Sequence, residues 1–276
     1  MTRPLNIACL QTCPKPDFQT ALEEALALAK TAVANGAQLL ALPEYCGGLS
    51  TEGGKITAPH APEAAHPVLL GLCAFAAENS VWILVGSVAI SGPMGKIINR
   101  SCLIDEQGQV TARYDKIHLF DIELSADEVY CESDSVAPGN RSVVADTPFG
   151  RVGLSICYDL RFARLYRDMS QAGAEILFIP AAFTRKTGAA HWHVLNRARA
   201  IENGAFVVAP CATGDISGGG GSYGHSLVIS PWGEVLADGG DAPGITQAQI
   251  DLELVAQTRA RIPSLTHDRP FDVEMV

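Results

Sequence analysis

The sequence lacks an apolar run approaching the ~20 residues that a helix needs to cross a bilayer. At the N-terminus, MTRPLNIACLQTCPKPD contains only a short apolar stretch, which Asn6 interrupts, so it does not resemble a signal peptide. We therefore predict a cytoplasmic protein with no membrane partner.

Clusters of positive charge are also absent. The formal net charge is −10 at pH 7, the pI is about 5.1, and no run of Lys and Arg reverses this balance locally. Because such a surface repels phosphate backbones, nucleic acid is not an expected partner.

The cysteines form no C-x-x-C pair and no regular framework, although the chain has eight of them. We expect most to be buried, reduced core residues. Cys9 and Cys13 lie four residues apart, but no second Cys/His pair stands nearby to complete a zinc site, so no metal is predicted.

Apolar residues are plentiful instead. With 276 residues and 47% of them hydrophobic, the chain can bury a large core. Its length permits one large domain or two small ones. No break in composition marks a linker, so we predict a single domain over residues 1–276.

Helical and extended patterns alternate along the chain, which predicts an α/β protein with helices over sheet faces. The predicted strands are LNIACLQT, AQLLALPE, VWILVGSVAI, RVGLSIC, EILFIPAAF, AFVVAPCATG and ITQAQIDL, with strand pairs in INRSCLIDEQGQVTARYDK and SLVISPWGEVLA. The predicted helices lie within DFQTALEEALALAKTAVAN, APEAAHPVLLGLCAFAAEN, RFARLYRDMSQAGA and AAHWHVLNRARAIEN. Asp17 is a candidate N-cap of the first helix, and Gly36 is its expected stop.

One glycine-rich segment, DISGGGGSYGHS at 215–226, invites comparison with phosphate-binding loops. It lacks the G-x-x-x-x-G-K-[ST] pattern, and no G-x-G-x-x-G here follows a strand and opens a helix. We predict a flexible loop beside a site, or simply a long turn.

Cys157 lies in GLSICYDLRF, where an apolar strand ends and a polar segment begins. A residue at such a junction can project from the sheet into a crevice, which suits a nucleophile. A buried structural cysteine is the alternative, and the thiol alone favours it. A reactive thiol needs a base or a positive neighbour.

Two candidates for those neighbours follow other predicted strands. Glu44 comes directly after the strand 39–42 and Pro43, where burying a carboxylate is costly without a partner or a task. Alone, it is equally well read as a surface residue or as a base. Lys116 lies in RYDKIHLFDIE, and a lone lysine is usually solvated.

Taken together, LPEYCGG, YDKIHLFD and GLSICYDLRF resemble, in this order, the three motifs of the carbon-nitrogen hydrolase family, or nitrilase superfamily. ESDSVAPG, PAAFTRKTGAAHW, RARAIENGAFVVAP and YGHSLVISPWGEV extend the similarity over nearly the whole chain. The blocks are most similar to the Nit-type amidase branch, which includes ω-amidase and deaminated glutathione amidase. The resemblance implies a four-layer αββα sandwich, a homodimer or larger homo-oligomer, and no cofactor.

The resemblance also implies a mechanism. Glu44 would act as general base on Cys157, whose sulfur attacks the amide carbon of the substrate and forms a thioester with release of ammonia. Lys116 and the backbone N–H of Tyr158 would stabilise the oxyanion. Glu132 would hold Lys116 or position the substrate.

A small amide whose acyl part carries a carboxylate is the implied substrate, and it needs a cation away from the reacting carbon. Arg161 and the pair Arg185 and Lys186 are the candidates, although the residues alone leave open that Arg161 pairs with Asp159 or that the pair faces solvent. The implied substrate-binding residues are Tyr158, Arg161, Phe183, Thr184 and Arg185.

This chain departs from the Nit-type pattern at two positions. His193 replaces the glutamate of A-H-W-E, which puts substrate detail in doubt. His191 and His193 do not suggest a metal site, because residues two apart on a helix face different ways. Arg164 replaces a Pro-Glu start of the helix after the nucleophile.

Other readings explain the residues less well. A serine hydrolase would need G-x-S-x-G, and GLSIC and GHSLV each lack the last glycine. A papain-like enzyme would pair Cys157 with His118, His191 or His225, but the sequence around the cysteine does not fit. Within the superfamily, N-carbamoyl-amine hydrolysis is the alternative, followed by a nitrilase; a non-catalytic binding protein on the same fold is the alternative outside catalysis.

Overall fold

The computed structural model describes residues 2–52, 55–125 and 128–276. Its strands, in chain order, are β1 (Pro4–Gln11), β2 (Leu39–Ala41), β3 (Ser50–Glu52), β4 (Lys55–Thr57), β5 (Trp82–Ser91), β6 (Ile97–Ile104), β7 (Val110–Asp115), β8 (Asp121–Ser125), β9 (Glu128–Cys131), β10 (Val143–Thr147), β11 (Gly150–Leu154), β12 (Ile176–Phe178), β13 (Phe206–Ala209), β14 (Thr213–Asp215), β15 (Gly221–Tyr223), β16 (Leu227–Ile229), β17 (Val235–Asp238) and β18 (Gly244–Asp251). The helices are α1 (Phe18–Ala34), α2 (Pro67–Asn79), α3 (Ala163–Gln171), α4 (Arg185–Asn203) and α5 (Glu253–Arg261).

Two six-stranded sheets organise these elements, in the orders β18-β1-β2-β5-β6-β7 and β10-β11-β12-β13-β16-β17. In each sheet three successive strands are parallel, β1-β2-β5 in the first and β11-β12-β13 in the second, and antiparallel strands flank them. The helices α1 to α4 lie in the crossovers between the parallel strands, as parallel pairing requires. In each sheet, the carboxyl ends of the three parallel strands therefore lie at the same edge of that sheet.

Side-chain alternation along β1 shows how the layers stack. Leu5, Ile7 and Cys9 belong to the core that includes β11, β12 and β13 of the second sheet, whereas Ala8 and Leu10 pack in the core with α1 and α2. On the far side, α3 and α4 contribute Leu165 and Trp192 to the core of the second sheet. The order is helices, sheet, sheet, helices, and the predicted four-layer αββα sandwich is confirmed.

The first helix begins and ends where the sequence indicates. The Asp17 side chain caps it by accepting the Thr20 N–H at 2.9 Å, and Gly36 follows its C-terminal end with a φ of +84°. The buried residues of α1 are all alanines, which allow the helix to lie close to the sheet. Both termini were predicted from local patterns alone.

Several elements differ from the prediction. AQLLALPE is extended only over Leu39–Ala41, and α4 starts at Arg185, earlier than the pattern indicated. β14 and β15 pair across part of the glycine-rich segment, while Gly218, Gly219 and Gly220 in its tip have positive φ. Strands β3, β4, β8, β9 and β10 and helix α5 were not predicted, because short, half-exposed segments carry no clear period.

No helix among the described residues has both the length and the apolar character to span a membrane. The cytoplasmic location and the single domain over residues 1–276 stay predictions.

Candidate active site

Glu44, Lys116 and Cys157 follow β2, β7 and β11, and the fold brings the three side chains to one cavity between the sheets. Lys116 Nζ lies 2.8 Å from Glu44 Oε1 and 2.8 and 3.0 Å from the two oxygens of Glu132. At most 7% of any of these four residues is exposed. The four predicted catalytic residues are thus in direct proximity, and their roles stay predictions.

The backbone around Glu44 is fixed by the neighbouring strand β5. A methyl group at Gly86 would overlap the carbonyl oxygens of Leu42 and Pro43, so this close approach requires glycine. Beyond Glu44, the Tyr45 N–H donates to Ser87 Oγ at 2.8 Å. The carboxylate therefore projects from a rigid segment rather than from a free loop.

Glu44 is held as a carboxylate. Its Oε1 accepts from Lys116 and from Asn99 Nδ2 at 2.9 Å, and its Oε2 accepts the Ala182 N–H at 2.9 Å. Burial alone would raise the pKa of Glu44, but the Lys116 charge and these hydrogen bonds outweigh it and lower the pKa below its usual value. The Glu44 side chain is therefore ionised at neutral pH.

Lys116 remains an ammonium because the neighbouring negative charges outweigh the effect of its burial. Burial favours the neutral amine, but the charges of Glu132 and Glu44 raise the pKa of Lys116 well above its usual value. Glu132 is itself fixed by the Phe120 N–H at 2.6 Å and the Tyr45 hydroxyl at 3.3 Å. Lys116 therefore keeps a positive charge in the cavity that Cys157 lines.

The thiol of Cys157 is protonated in the resting site. Burial, and then the charge of Glu44, raise the pKa of Cys157 well above its usual value. If the thiol acts as a nucleophile, it must lose its proton, and Glu44 lines the same cavity.

Cys157 occupies a strained turn. Its φ is +49°, which is uncommon for a residue with a Cβ, and its N–H donates to Pro180 O at 2.8 Å. A 3₁₀ turn over Cys157–Arg161 begins at this residue. The Tyr158 N–H has no hydrogen-bond acceptor within the described ranges, so it remains available as a donor beside the sulfur.

Asp159 holds this turn in place. Its Oδ2 accepts from the Ile156 N–H at 2.8 Å and the Tyr114 hydroxyl at 2.6 Å, and its Oδ1 lies 3.1 Å from the His118 N and 2.7 Å from its Nδ1. Asp159 is fully buried. Asp159 forms no hydrogen bond or ion pair with Arg161. The pairing of these two described residues that the sequence left open is therefore absent.

The cavity that contains the thiol is open at its mouth and encloses about 610 Å³, the solvent at the mouth included. Its wall is largely aromatic and apolar, with a few hydroxyl groups. The lining includes Tyr158, Phe183 and Thr184 of the predicted substrate-binding set, together with Phe120, Tyr130, Thr187 and Ile216.

The two predicted carboxylate-binding arginines do not line this cavity. The Arg161 guanidinium lies 5.8 and 5.6 Å from the rings of Tyr158 and Phe183, which do line the cavity. Arg185 pairs with Asp215 at 2.7 Å, its guanidinium lies against Gly221, and 56% of its side chain is exposed. Their binding of a substrate carboxylate stays a prediction.

The histidines nominated for a papain-like pair have other partners. His118 lies against Asp159, His191 Nδ1 lies 3.3 Å from Arg161, and His225 Nδ1 lies 2.8 Å from Asp238. None of these three histidines lines the cavity that contains Cys157, whereas Glu44 does. Arg164, one of the two departures from the Nit-type pattern, has 92% of its side chain exposed and lies 3.5 Å from Asp168.

Sequence reasoning missed several residues that complete the site. Asn99 Nδ2 donates to Glu44 at 2.9 Å and lies 3.4 Å from Glu132. Asp159 and Tyr45 fix the backbone next to Cys157 and next to Glu44, respectively. The only signal for Asn99 was a polar residue within the predicted strand pair, and Arg100 and Ser101 beside it share that property. Asp159 had none beyond its position two residues after the cysteine.

Comparisons with known proteins agree with this geometry. The family model described as carbon-nitrogen hydrolase matches residues 6–260. The deaminated glutathione amidase of Synechocystis sp. is 41% identical over 269 residues, which are 96% of this chain and 98% of that protein. The human omega-amidase NIT2 is 36% identical over 248 residues, 89% of each chain.

A solved structure supports the fold. The NitFhit protein of C. elegans superposes with a TM-score of 0.88 at 32% identity, and the match covers 97% of this chain and 66% of that one. Family, fold and site coincide, and the chain therefore belongs to the carbon-nitrogen hydrolase family and is an amidohydrolase.

Proposed function

We propose that the protein hydrolyses a small carboxylated amide through a thioester on Cys157, with a substrate of the deaminated glutathione or ω-amidase type. The observation that carries the proposal is that Cys157, Glu44 and Lys116 line one buried cavity, with Lys116 Nζ 2.8 Å from the Glu44 carboxylate. This arrangement supplies a nucleophile, a base and a fixed positive charge without a cofactor.

In the first step, Glu44 takes the thiol proton while Cys157 Sγ bonds to the amide carbon. The carbonyl π electrons move to the oxygen, and the Tyr158 N–H and Lys116 stabilise that oxyanion. The oxyanion then collapses, the C–N bond breaks, and Glu44 returns the proton to the leaving nitrogen. A thioester on Cys157 remains.

In the second step, water attacks the thioester carbon while Glu44 takes one of its protons. The C–S bond breaks, the acid product leaves, and the sulfur regains the proton from Glu44. Glu132 does not move a proton here; it keeps Lys116 charged and in place through two contacts of 2.8 and 3.0 Å.

The substrate class rests on similarity to the two amidases. The largely aromatic and apolar wall of the cavity suits the carbon chain of an acyl group, and Arg185, which lies against Gly221 and pairs with Asp215, is the candidate partner of a distal carboxylate. Ammonia leaves only when the amide is primary, as in 2-oxoglutaramate. Deaminated glutathione is a secondary amide, so its leaving group is the amine of the remaining dipeptide.

The test measures both kinds of product. Wild-type protein is incubated with 2-oxoglutaramate, deaminated glutathione, an N-carbamoyl amino acid and a neutral aliphatic amide, and ammonia and free amine are quantified. We expect turnover of a carboxylated amide, and a loss of roughly 10³-fold or more in Cys157→Ala. Cys73→Ser, at a half-buried thiol on α2, is the matched control and should retain activity.

Four outcomes would contradict the proposal. Faster turnover of the neutral amide than of any carboxylated one would overturn the substrate class. Turnover confined to the N-carbamoyl substrate would favour that hydrolysis instead. Full activity in Cys157→Ala would remove the thioester, and no turnover at all by a folded wild type would favour a binding protein.

A homodimer or larger homo-oligomer is a further part of the proposal. Val194, Ile201 and Trp232 are apolar and between 52% and 67% exposed, and the Ile201 side chain lies against the turn that carries Trp232. Exposed apolar patches of this kind are frequently covered by a partner. Light scattering coupled to gel filtration should give a mass of at least twice 29.2 kDa, and a monomer would contradict it.

A further inference from the structure

His193, the residue that replaces the family's glutamate, meets two other potential metal ligands outside the active-site cavity. His193 comes from α4, His225 from the turn between β15 and β16, and Asp238 from the end of β17. His193 Nε2 lies 3.0 Å from Asp238 Oδ2, and His225 Nδ1 lies 2.8 Å from Asp238 Oδ1. His191, two residues away, points instead to Arg161.

The separations are close to those of a metal site. All three potential ligand atoms lie within 4.8 Å of one another. Around an ion with bonds of about 2.0–2.2 Å, neighbouring ligand atoms are roughly 3.0–3.5 Å apart. Both histidine–aspartate distances are already close to this range. A side-chain movement of about 1 Å would bring the two imidazole nitrogens within it of each other.

The surroundings hold the ligands in place. His225 has a φ of +54°, and its ring stacks on Tyr223 with centroids 4.6 Å apart. Its carbonyl accepts Trp192 Nε1–H at 2.7 Å, and its N–H donates to Gly240 O at 2.6 Å. Because an ordered backbone and a stacked ring limit rotation, binding would require little reorganisation.

Exposure and donor type indicate the kind of ion. About a third of each ligand side chain is exposed, from 27% to 34%, so water can enter and complete the coordination. Two imidazole nitrogens with one carboxylate oxygen suit Zn²⁺, Co²⁺ or Ni²⁺, whereas Mg²⁺ and Ca²⁺ prefer oxygen ligands. We propose that His193, His225 and Asp238 bind one divalent transition-metal ion, with water in the remaining positions.

Such an ion would join α4 to the second sheet next to the cavity. The first turn of α4 follows Thr184 and carries Thr187, both of which line the cavity, and the Tyr223 N–H donates to Phe183 O at 2.8 Å. The site is therefore structural in kind and independent of the hydrolytic reaction. Its loss should loosen α4 rather than remove a catalytic group.

The test uses Co²⁺, whose visible spectrum distinguishes ligand types. Full-length protein is treated with a chelator, dialysed and titrated with Co²⁺, and bound metal is measured by equilibrium dialysis. We expect one ion per chain, with weak d–d bands and no intense sulfur charge-transfer band. At ten times the Kd, the melting temperature should rise by roughly 3 °C or more.

Matched variants decide which residues bind the ion. His193→Gln and His225→Asn should each weaken binding by at least tenfold, and Asn tolerates the positive φ at position 225. His267→Gln removes an exposed histidine outside the cluster and should bind Co²⁺ like the wild type. Equal affinity in all three variants, a sulfur charge-transfer band, or no binding by the folded wild type would each overturn the proposal.

Discussion

Asp159 and Asp238 have similar partners in two very different regions. Each carboxylate lies next to a histidine Nδ1, at 2.7 Å from His118 and 2.8 Å from His225, and each accepts a backbone N–H. Asp159 is fully buried below the nucleophile, whereas 34% of the Asp238 side chain is exposed on the surface. The same contacts therefore have different consequences.

Burial decides how much such a contact matters. In a buried site, a donor that loses its acceptor cannot turn to water, so its desolvation cost remains. At the surface, water replaces the lost partner and screens the charge. Asp159 can therefore fix the backbone geometry at Cys157. Asp238 can instead give up a hydrogen-bond donor and bind a metal ion in its place.

The largest effect should follow from Asp159→Asn. The new NH₂ group faces at least one hydrogen that the carboxylate accepted, either from Ile156 and Tyr114 or from His118. We expect the free energy of unfolding to fall by about 3–4 kcal/mol and kcat to fall about 10–100-fold, because the nucleophile turn shifts. Urea denaturation and steady-state kinetics measure the two effects.

Tyr114→Phe provides the graded control. It removes one of the donors to Asp159 and keeps the ring, so it should cost only about 1 kcal/mol. Full stability and full kcat in Asp159→Asn would show that the turn does not depend on the carboxylate.

The catalytic candidates could be predicted because their three motifs resemble, in order, those of the carbon-nitrogen hydrolase family, whereas the residues alone left each of them open. Cys157 and Glu44 follow apolar strands, and an α/β sheet brings strand ends together, but Lys116 follows the mixed strand β7. The surface cluster offered no such signal. His193 and Asp238 are 45 residues apart and belong to a helix and a strand end, so only their three-dimensional packing reveals the contact.

A smaller effect on stability is expected at His66, whose imidazole is fully buried, unlike the partly exposed imidazole of His225. His66 caps α2 and is fully buried, and its burial lowers its pKa from 6.5 to about 4. As pH falls from 6.5 towards 4, the unfolded chain binds a proton that the folded protein does not. The free energy of unfolding should therefore decrease by about 3 kcal/mol over this range.

His66→Asn isolates this titration, because asparagine keeps the N-cap acceptor and does not titrate. The variant loses the contact with Phe18 and should be less stable at pH 7, but the difference from wild type should shrink as pH falls to 4. Carboxylates with lowered pKa, including Glu44, affect both proteins equally. A constant difference across pH 7 to 4 would contradict the lowered pKa of His66.

The fold could be predicted where burial imposes a period. Residues 4–11 alternate between two cores, and residues 18–34 repeat small residues on one buried face, so both patterns were legible. The strand at 143–147 is half-exposed along its length and lacks that alternation. Its pairing with β11 comes from the sheet rather than from its own residues.

The smallest effect is expected at the surface aspartate. In metal-free protein, Asp238→Asn leaves His193 and His225 with water as a partner, so the free energy of unfolding should change by less than about 1 kcal/mol, and kcat should not change. With Co²⁺ present, the same variant should lose the stabilisation that the ion gives the wild type, because an amide is a weaker ligand than a carboxylate. Thermal melts with and without Co²⁺ measure both differences. If metal-free Asp238→Asn lost as much free energy of unfolding as Asp159→Asn, then the type of contact, and not burial, would determine how much these carboxylates contribute to stability.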